Sequence, residues 1–183
     1  GLDSVCQGSS ITLTASASGG VGAYSYQWQI NGSNIGANSS TYISSTSLAP
    51  ATYSYTVIVT AGACSTTSVT HQVQVNPRPV IANIITQNLL CYGINIGSIN
   101  IVATADSFSI NNGGSYQVSN NFTALPPGNY TVVVKNTSGC TLNYAANPVV
   151  IAQIDSTSIS FNIVEPHCIT SNDGEIQVLA IGG

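Results

Sequence analysis

The sequence carries very little charge, and this absence excludes several classes of function. Lys, Arg, Asp and Glu make up 4% of the 183 residues, whereas an average soluble domain has about 25%. Arg78 and Lys135 are the only residues of the two basic types, and the formal net charge is −4. A nucleic-acid groove needs clustered Arg and Lys, and so does a polybasic patch on anionic lipid. We therefore expect no nucleic-acid partner and no electrostatic attachment to a membrane.

Long apolar runs are missing as well. A membrane-spanning helix needs about 18 consecutive apolar residues, and the sequence has no such run, so we expect no direct membrane insertion. Hydrophobic residues nevertheless make up 43% of the chain, and they alternate with polar ones. This pattern predicts folded strands rather than disorder.

The spacing of the cysteines argues against metal and redox chemistry. No Cys-x-x-Cys motif occurs, and His71 and His167 lie far apart in the sequence, so we predict no metal site and no cofactor. Cysteines spread along a chain poor in charge are typical of an oxidising, extracellular environment. The first residues lack the charged and apolar regions of a signal peptide. We therefore interpret the chain as an interior or processed part of a longer protein.

Alternation with a period of two runs through almost the whole chain and predicts an all-β fold. Clear examples are residues 24–30, Tyr-Ser-Tyr-Gln-Trp-Gln-Ile, and residues 130–134, Tyr-Thr-Val-Val-Val. β-Branched and aromatic residues fill these runs, and clusters of Gly, Pro and Asn separate them and supply turns. No stretch of ten residues shows a helical period.

The sequence also repeats itself. The segment 91–101 aligns with the segment 168–178, which lies 77 residues further on. Leu-Ala-Pro-Ala-Thr-Tyr at 48–53 and Leu-Pro-Pro-Gly-Asn-Tyr at 125–130 precede similar strands, and a Pro-rich linker lies at 76–79. We therefore predict whole units at 1–79 and 80–154 and the opening part of a further, incomplete unit at 155–183.

Strand counting predicts which cysteines meet. The predicted strands are 10–17, 24–30, 41–47 and 53–60 in the first unit, and 98–103, 107–110, 115–119 and 129–135 in the second. Four strands return the chain to the end of a sandwich at which it started. We therefore predict the disulfides Cys6–Cys64 and Cys91–Cys140, one in each unit, and no partner within this chain for Cys168. Free, buried thiols are the alternative.

These motifs resemble a known family. Cys91, the strand start at 97–99, the Leu-Pro-Pro-Gly-Asn-Tyr motif and Gly139-Cys140 look like a SprB-type repeat, which occurs in very large surface adhesins of gliding Bacteroidota. Residues 168–183 resemble the start of the next copy. The first unit, with Tyr-x-Tyr-x-Trp at 24–28, is similar to the PKD-like, Ig-related domains of the same proteins. The resemblance implies tandem Ig-like or PKD-like antiparallel β-sandwiches.

The resemblance also implies a location and a modification. It implies export by the type IX secretion route, display on the outer cell surface and a role in gliding motility. Bacteria of this kind attach O-glycans to Ser or Thr after Asp when a small or aliphatic residue or Thr follows. Ser4 and Ser156 fit this pattern and Ser107 fits it loosely, so these three are candidate glycosylation sites.

No constellation of residues points to catalysis, and we predict that the chain is not an enzyme. The six acids are scattered along the chain, whereas a paired-carboxylate mechanism needs both groups at one cleft. Trp28 is a candidate for stacking on a sugar ring, but its spacing with Tyr24 and Tyr26 favours the core face of a strand. Tyr53 and Tyr130 are predicted tyrosine corners, whose hydroxyls bond the backbone.

Three functions remain. The leading hypothesis is a stalk or adhesive array in one long chain, which contacts neighbouring repeats and binds surface polysaccharide or other cell surfaces through multivalency. The alternative is an extracellular filament or sheath of identical chains, in which a neighbour completes the incomplete unit by strand addition. A carbohydrate-binding module comes third, and it predicts saturable binding that Trp28→Ala abolishes.

Overall fold

The computed structural model of the chain describes residues 2–170 and 172–182, and these residues form β-strands joined by turns. Among them no helix is long and apolar enough to cross a membrane. The all-β class predicted from the alternation is confirmed. The strands, in chain order, are β1 (Leu2–Cys6), β2 (Thr12–Thr14), β3 (Tyr24–Ile30), β4 (Ser33–Ile35), β5 (Thr41–Ile43), β6 (Ala51–Ala61), β7 (Cys64–Thr67), β8 (His71–Asn76), β9 (Ile81–Gln87), β10 (Gly97–Ala103), β11 (Ser107–Ser109), β12 (Asn121–Leu125), β13 (Gly128–Tyr130), β14 (Val133–Lys135), β15 (Thr141–Asn143), β16 (Val149–Ile151), β17 (Ser158–Val164) and β18 (Glu175–Ile181).

The chain divides into two compact units. Unit 1 comprises the residues up to Pro79 together with the turn Asn136–Thr141. Unit 2 comprises Val80–Lys135 together with the described residues from Leu142 onward. The turn 136–141 thus belongs to unit 1, although it stands in the middle of the sequence of unit 2. The assignment of domain types to these segments stays a prediction.

Unit 1 is a sandwich of two sheets. The larger sheet has the strand order β1-β8-β6-β3-β4, with β7 also paired to β6, and the smaller sheet pairs β2 with β5. The pairs run antiparallel, apart from β1, which runs parallel to β8. The two layers meet in a core in which Tyr55, Val73 and Val75 of the larger sheet pack with Leu13 and Tyr42 of the smaller one.

Unit 2 contains three small sheets around one core, with the strand orders β12-β10-β9, β11-β14-β15 and β13-β16. Ile99 and Ile101 of β10 are fully buried and pack with Val132, Val134 and Ile151. The hairpin β17–β18 forms a separate two-stranded sheet, and all its described residues are exposed. Among the described residues of unit 2, the hairpin β17–β18 is therefore the element whose apolar side chains are not covered by other strands.

Unit 2 departs from the predicted strands in two places. The predicted strand 129–135 is split, because the chain passes from β13 into β14, in another sheet, at Val132. The side chain of Asn147 bonds the backbone there: Oδ1 accepts from the Val132 amide at 2.8 Å, and Nδ2 donates at 2.9 Å to the Val132 carbonyl, which also accepts from the Tyr144 amide at 3.1 Å. The predicted strand 115–119 forms only a single bridge, and β12 pairs with β10 instead.

The disulfide among the described residues joins Cys6 to Cys140, whose Cα atoms are 5.6 Å apart. Both predicted pairings are therefore wrong, and the prediction of one disulfide in each unit is wrong with them. Cys64 and Cys91 are exposed thiols. That Cys168 has no partner within the chain stays a prediction.

Cys6 cannot reach Cys64, because the two lie at opposite ends of β6. Cys6 pairs with Asn76 of β8, beyond the Ala51 end of β6, whereas Cys64 pairs with Ala61 at the other end. At about 3.3 Å per residue, the length of β6 separates them by about 30 Å, and a disulfide spans at most about 7 Å between Cα atoms. The sequence prediction omitted β4. Five strands, β2 to β6, lie between these two cysteines. An odd number of strands places Cys6 and Cys64 at opposite ends of the sandwich, whereas the predicted four strands placed them at the same end.

The sequence prediction also omitted β12, and this omission explains why Cys91 does not pair with Cys140. β12 returns the chain to the start of β10, where Leu125 pairs with Gly97. Cys91 precedes β10 in the sequence and therefore lies toward that same end. The chain then runs from Gly128 to Lys135, whose carbonyl accepts a hydrogen bond from the Asp106 amide beyond the far end of β10. Cys140 follows at that far end, so the predicted pair would have to span the length of the sheet.

The turn Asn136–Thr141 presents Cys140 to Cys6, and Asn136 shapes this turn. Its Oδ1 accepts a hydrogen bond from the Cys140 amide at 2.9 Å, and its Nδ2 donates to the Pro77 carbonyl at 2.9 Å. The first bond closes the turn, and the second holds the turn beside the end of β8. One side chain therefore sets both the shape and the position of the loop that carries the disulfide.

Loss of this disulfide should destabilise the protein strongly. The bond joins residues 134 apart in sequence, and closing a loop of that length contributes about 5 kcal/mol in the chain-entropy model. Cys6→Ser should lower the free energy of unfolding in urea by about 3 to 5 kcal/mol. Cys64→Ser removes an exposed thiol and should change it by less than about 0.5 kcal/mol.

Peptide mapping without reductant provides the second readout. It should recover a linked pair of peptides that contain Cys6 and Cys140. A pair linking Cys6 to Cys64, or equal losses of stability in the two variants, would contradict the assignment.

Candidate functional site

Two tyrosine hydroxyls anchor the same kind of turn in the two units. Tyr53 Oη donates to the carbonyl of Ala49 at 3.0 Å, and Tyr130 Oη donates to the carbonyl of Pro126 at 2.8 Å. Burial raises the pKa of Tyr130 above its ordinary value. The predicted tyrosine corners are confirmed, and their role is structural because each fixes the entry of the chain into a strand.

Trp28 is a core residue. Its side chain is 4% exposed, its ring centroid lies 6.0 Å from that of Tyr42, and its Nε1 donates to the carbonyl of Ser39 at 2.9 Å. At this burial the indole offers no open surface on which a sugar ring could stack outside the core. A large buried aromatic on this strand, together with a tyrosine corner, is characteristic of Ig-like sandwiches.

Unit 1 contains a cavity of about 820 Å³. This volume is within the range of small-molecule sites. Tyr24, Trp28 and Tyr55 supply its aromatic lining, and Asp3 supplies its carboxylate. Most of the remaining lining consists of small apolar groups and hydroxyls, including those of Thr12, Thr14, Thr56, Thr66 and Ser68. Such a lining suits a neutral, hydroxyl-rich molecule better than a charged one.

Tyr55 is the unusual group at this cavity. Its side chain is 1% exposed, and its hydroxyl has no hydrogen-bond partner among the described residues. Burial raises its pKa to about 12, and Tyr42 and Tyr53 nearby add to the shift. A buried hydroxyl without a partner costs about 1–3 kcal/mol. The phenol is therefore neutral at physiological pH, and its hydroxyl is an unused hydrogen-bond donor.

Each of the two histidines lies beside a carboxylate. His71 Nε2 lies 3.0 Å from Asp3 Oδ2 in the cavity lining, and His167 Nδ1 lies 2.6 Å from Asp173 Oδ2 in the turn of the hairpin β17–β18. A hydrolytic site would also need a nucleophile within hydrogen-bond reach of the imidazole. Within the described residues, the side chain of His71 bonds Asp3, and no group of three or more His, Cys, Asp and Glu could hold a metal ion.

The candidate glycosylation sites differ in accessibility. Ser4 on β1 and Ser156 in the loop after β16 are exposed. Ser107 on β11 is half-buried, and its hydroxyl donates to the carbonyl of Lys135 at 3.4 Å. An enzyme could reach the first two without disturbing a sheet. All three remain predictions.

No local sequence pattern predicted the groups that distinguish this cavity. Alternation places Tyr55 on a core face, but whether its hydroxyl finds a partner depends on residues of other strands. Asp3 and His71 are 68 residues apart, and they meet because β1 lies parallel to β8. Neither feature has a local sequence signal.

Comparisons with known proteins give weak likenesses in structure, two of them to immunoglobulin domains of Sidekick-1. Sidekick-1 immunoglobulin domains 1–5 align with 100% of this chain and 44% of that chain, at 16% identity and a TM-score of 0.38. Sidekick-1 immunoglobulin domains 1–4 align with 100% of this chain and 55% of that chain, at 18% identity and a TM-score of 0.37. The chain thus spans about half the length of these solved structures. No protein-family model and no curated protein sequence matches it. At these values the likeness carries no conclusion about family or function.

Two neighbouring tyrosines should respond in opposite ways to loss of the hydroxyl. Tyr53→Phe removes a hydrogen bond to the backbone and should lower the free energy of unfolding by about 1 kcal/mol. Tyr55→Phe removes an unpartnered hydroxyl and should leave the stability unchanged or raise it. Urea denaturation of both variants provides the measurement. Equal losses would show that Tyr55 has a partner in the folded protein.

Alkali should weaken the fold through Tyr55. Because the folded state favours the neutral phenol, the contribution of Tyr55 to stability is complete below the ordinary tyrosine pKa of 10.0 and is lost as the pH rises toward about 12. The free energy of unfolding should therefore fall above pH 10, less steeply in Tyr55→Phe than in the unmodified protein. Denaturation at a series of pH values measures both slopes, and identical slopes would refute this account of the buried phenol.

Proposed function

We propose that this chain is a non-enzymatic repeat segment of a large, secreted cell-surface adhesin. The observation that carries the proposal is the repeat. Tyr53 and Tyr130 make the same backbone hydrogen bond in the two units and stand one repeat period of 77 residues apart. Small sandwiches strung along one polypeptide are suited to a stalk, because each unit needs contacts only with itself and its neighbours.

The surface chemistry is consistent with this role. With 4% charged residues, few ion pairs are available for strong contacts or for screening by salt. Exposed Ser and Thr side chains hydrate the surface without strong attraction. Adhesion would then come from many weak contacts with polysaccharide or another cell surface. The disulfide Cys6–Cys140 favours an extracellular location.

The sequence resemblance extends the proposal to a particular kind of adhesin. It favours a PKD-like domain at 1–79, a SprB-type repeat at 80–154 and the start of a further repeat at 155–183. In that case the protein is exported by the type IX route to the outer surface, serves gliding motility and carries O-glycans at Ser4 and Ser156. Ser107 is a weaker candidate because it is half-buried.

The mass of the native polypeptide tests the proposal. An antibody raised against this chain should detect, under denaturing conditions, a band of hundreds of kilodaltons that reductant does not break into smaller pieces. Protease added to intact cells should digest it. A band near 18.8 kDa would contradict the stalk and favour the alternative, a filament or sheath subunit. A band protected from protease on intact cells would contradict the surface location.

A second candidate function is the binding of a small neutral saccharide in the cavity of unit 1. The volume of the cavity and its lining of hydroxyl and aromatic side chains favour it. A glycan array should then show saturable binding, which Tyr24→Ala, a change at a solvent-exposed residue of the lining, weakens. An array without binding would exclude the glycans tested.

A further inference from the structure

The hairpin β17–β18 repeats the hairpin β9–β10 strand for strand. β17, Ser158–Val164, begins and ends 77 residues after β9, Ile81–Gln87. The register repeats as well, because the pairs from Ser98–Gln87 to Val102–Asn83 correspond to the pairs from Glu175–Val164 to Leu179–Ser160. The sequence repeat is therefore also a repeat of backbone pairing.

One face of the second hairpin is entirely apolar. Side chains of directly paired residues lie on the same face of a sheet. The pairs on this face are Ile159–Ala180, Phe161–Val178 and Ile163–Ile176. The pairs on the opposite face are Ser158–Ile181, Ser160–Leu179, Asn162–Gln177 and Val164–Glu175. One face of the hairpin is thus apolar and the other is largely polar, which is the pattern of a strand pair whose apolar face packs on a core.

The equivalent face of the first hairpin is covered. Ile99 and Ile101 are 0% exposed, whereas their equivalents Ile176 and Val178 are 67% and 58% exposed. In the first hairpin, β12 pairs with the outer edge of β10, and Val132, Val134 and Ile151 pack on the apolar face. In the second hairpin, β18 pairs with β17 alone among the described strands.

We propose that the outer edge of β18 and the apolar face of this hairpin form a docking surface for a segment with the strand pattern of residues 107–151, continuous with β18 in the same polypeptide. A strand equivalent to β12 would pair antiparallel with β18. Valine-rich strands equivalent to β14 and β16 would cover the apolar face. This docking surface rests on the repeat arrangement of the proposed function and does not depend on adhesion.

The size of the surface favours a continuous segment over a separate partner. The large apolar residues of this face are 58% to 67% exposed, so the face has on the order of a few hundred Å² of exposed surface, the size of the largest apolar patches on monomers. A stable interface between separate chains buries about 800 Å² on each side. A segment of the same chain needs less area, because its effective concentration is high. In the first hairpin the covering strands likewise follow β10 along the chain.

The hairpin also lacks the devices that protect an exposed edge. Natural edge strands carry Lys or Pro that prevent pairing with other chains. β17 and β18 contain neither, and Glu175 is their one charged residue. A two-stranded hairpin is at best marginally stable in water. An unprotected edge and an exposed apolar face of this kind are expected where a further strand covers them in the native protein.

The test compares the full chain with an extended chain. The extension joins a second copy of residues 105–154 directly after Ile181, with Cys140→Ser in the appended copy. Amide hydrogen exchange, read by mass spectrometry, reports the protection of peptides from β17 and β18. Docking should slow their exchange by about tenfold or more. Exchange in β9 and β10 should stay the same.

Val178→Asp and Gln177→Asp form the matched controls, because these adjacent residues lie on opposite faces of β18. In the extended chain, Val178→Asp should restore the fast exchange, and Gln177→Asp should leave it slow. Peptides of unit 1 should exchange equally in all variants, which shows that the rest of the protein is folded.

Three results would overturn the proposal. The first is an extended chain whose hairpin exchanges as fast as that of the full chain, and the second is an equal effect of the two Asp variants. The third is concentration-dependent protection of the unextended chain that Val178→Asp abolishes, which would assign the surface to a second copy. A native band of hundreds of kilodaltons combined with no slowing would reject the docking surface and leave the stalk intact.

Discussion

Within the described residues, the sheets that enclose a core depend on covering one apolar face, because few strong contacts other than the Cys6–Cys140 disulfide hold them together. With so few charged residues, ion pairs contribute little, and cross-strand packing carries the fold. Tyr55, Val73 and Val75 fill this role in unit 1, and Ile99 and Ile101 fill it in unit 2. The hairpin β17–β18 has the same alternation without the cover, which makes it the place where the account can be tested.

A few polar groups fix how the covered sheets are closed. Asn147 bonds the backbone of Val132 where the chain changes sheets, and the hydroxyls of Tyr53 and Tyr130 hold the turns before β6 and β13. Asn136 positions Cys140 for the disulfide. These groups are neutral, so the closures do not depend on ionic strength or on physiological pH. That property suits a segment exposed outside the cell, and it supports the proposal of a stalk.

Local patterns predicted the elements whose signal is local. Alternation over residues 24–30 matches the bounds of β3, and the Leu-x-Pro motifs correctly marked both tyrosine corners. Strands of three residues, such as β4, are too short to show alternation, and omitting one strand was enough to pair the wrong cysteines. The Cys6–Cys140 bond depends on a turn brought from more than a hundred residues away. Likewise, the unpartnered hydroxyl of Tyr55 follows from packing between strands, which spacing along the chain does not encode.

Residue-resolved amide hydrogen exchange of the chain, measured by NMR, tests most directly whether covered apolar faces carry the fold. We expect the slowest exchange at Ile99, Ile101 and Val134 in unit 2 and at Val73 in unit 1, where both cover and backbone pairing are complete. Gln177 should exchange fast, although it pairs with Asn162 in the register in which Asn100 pairs with Ile85 of the covered hairpin. Protection at Gln177 equal to that at Asn100 would contradict the dependence on covered faces, because backbone pairing alone would then be sufficient to hold these sheets.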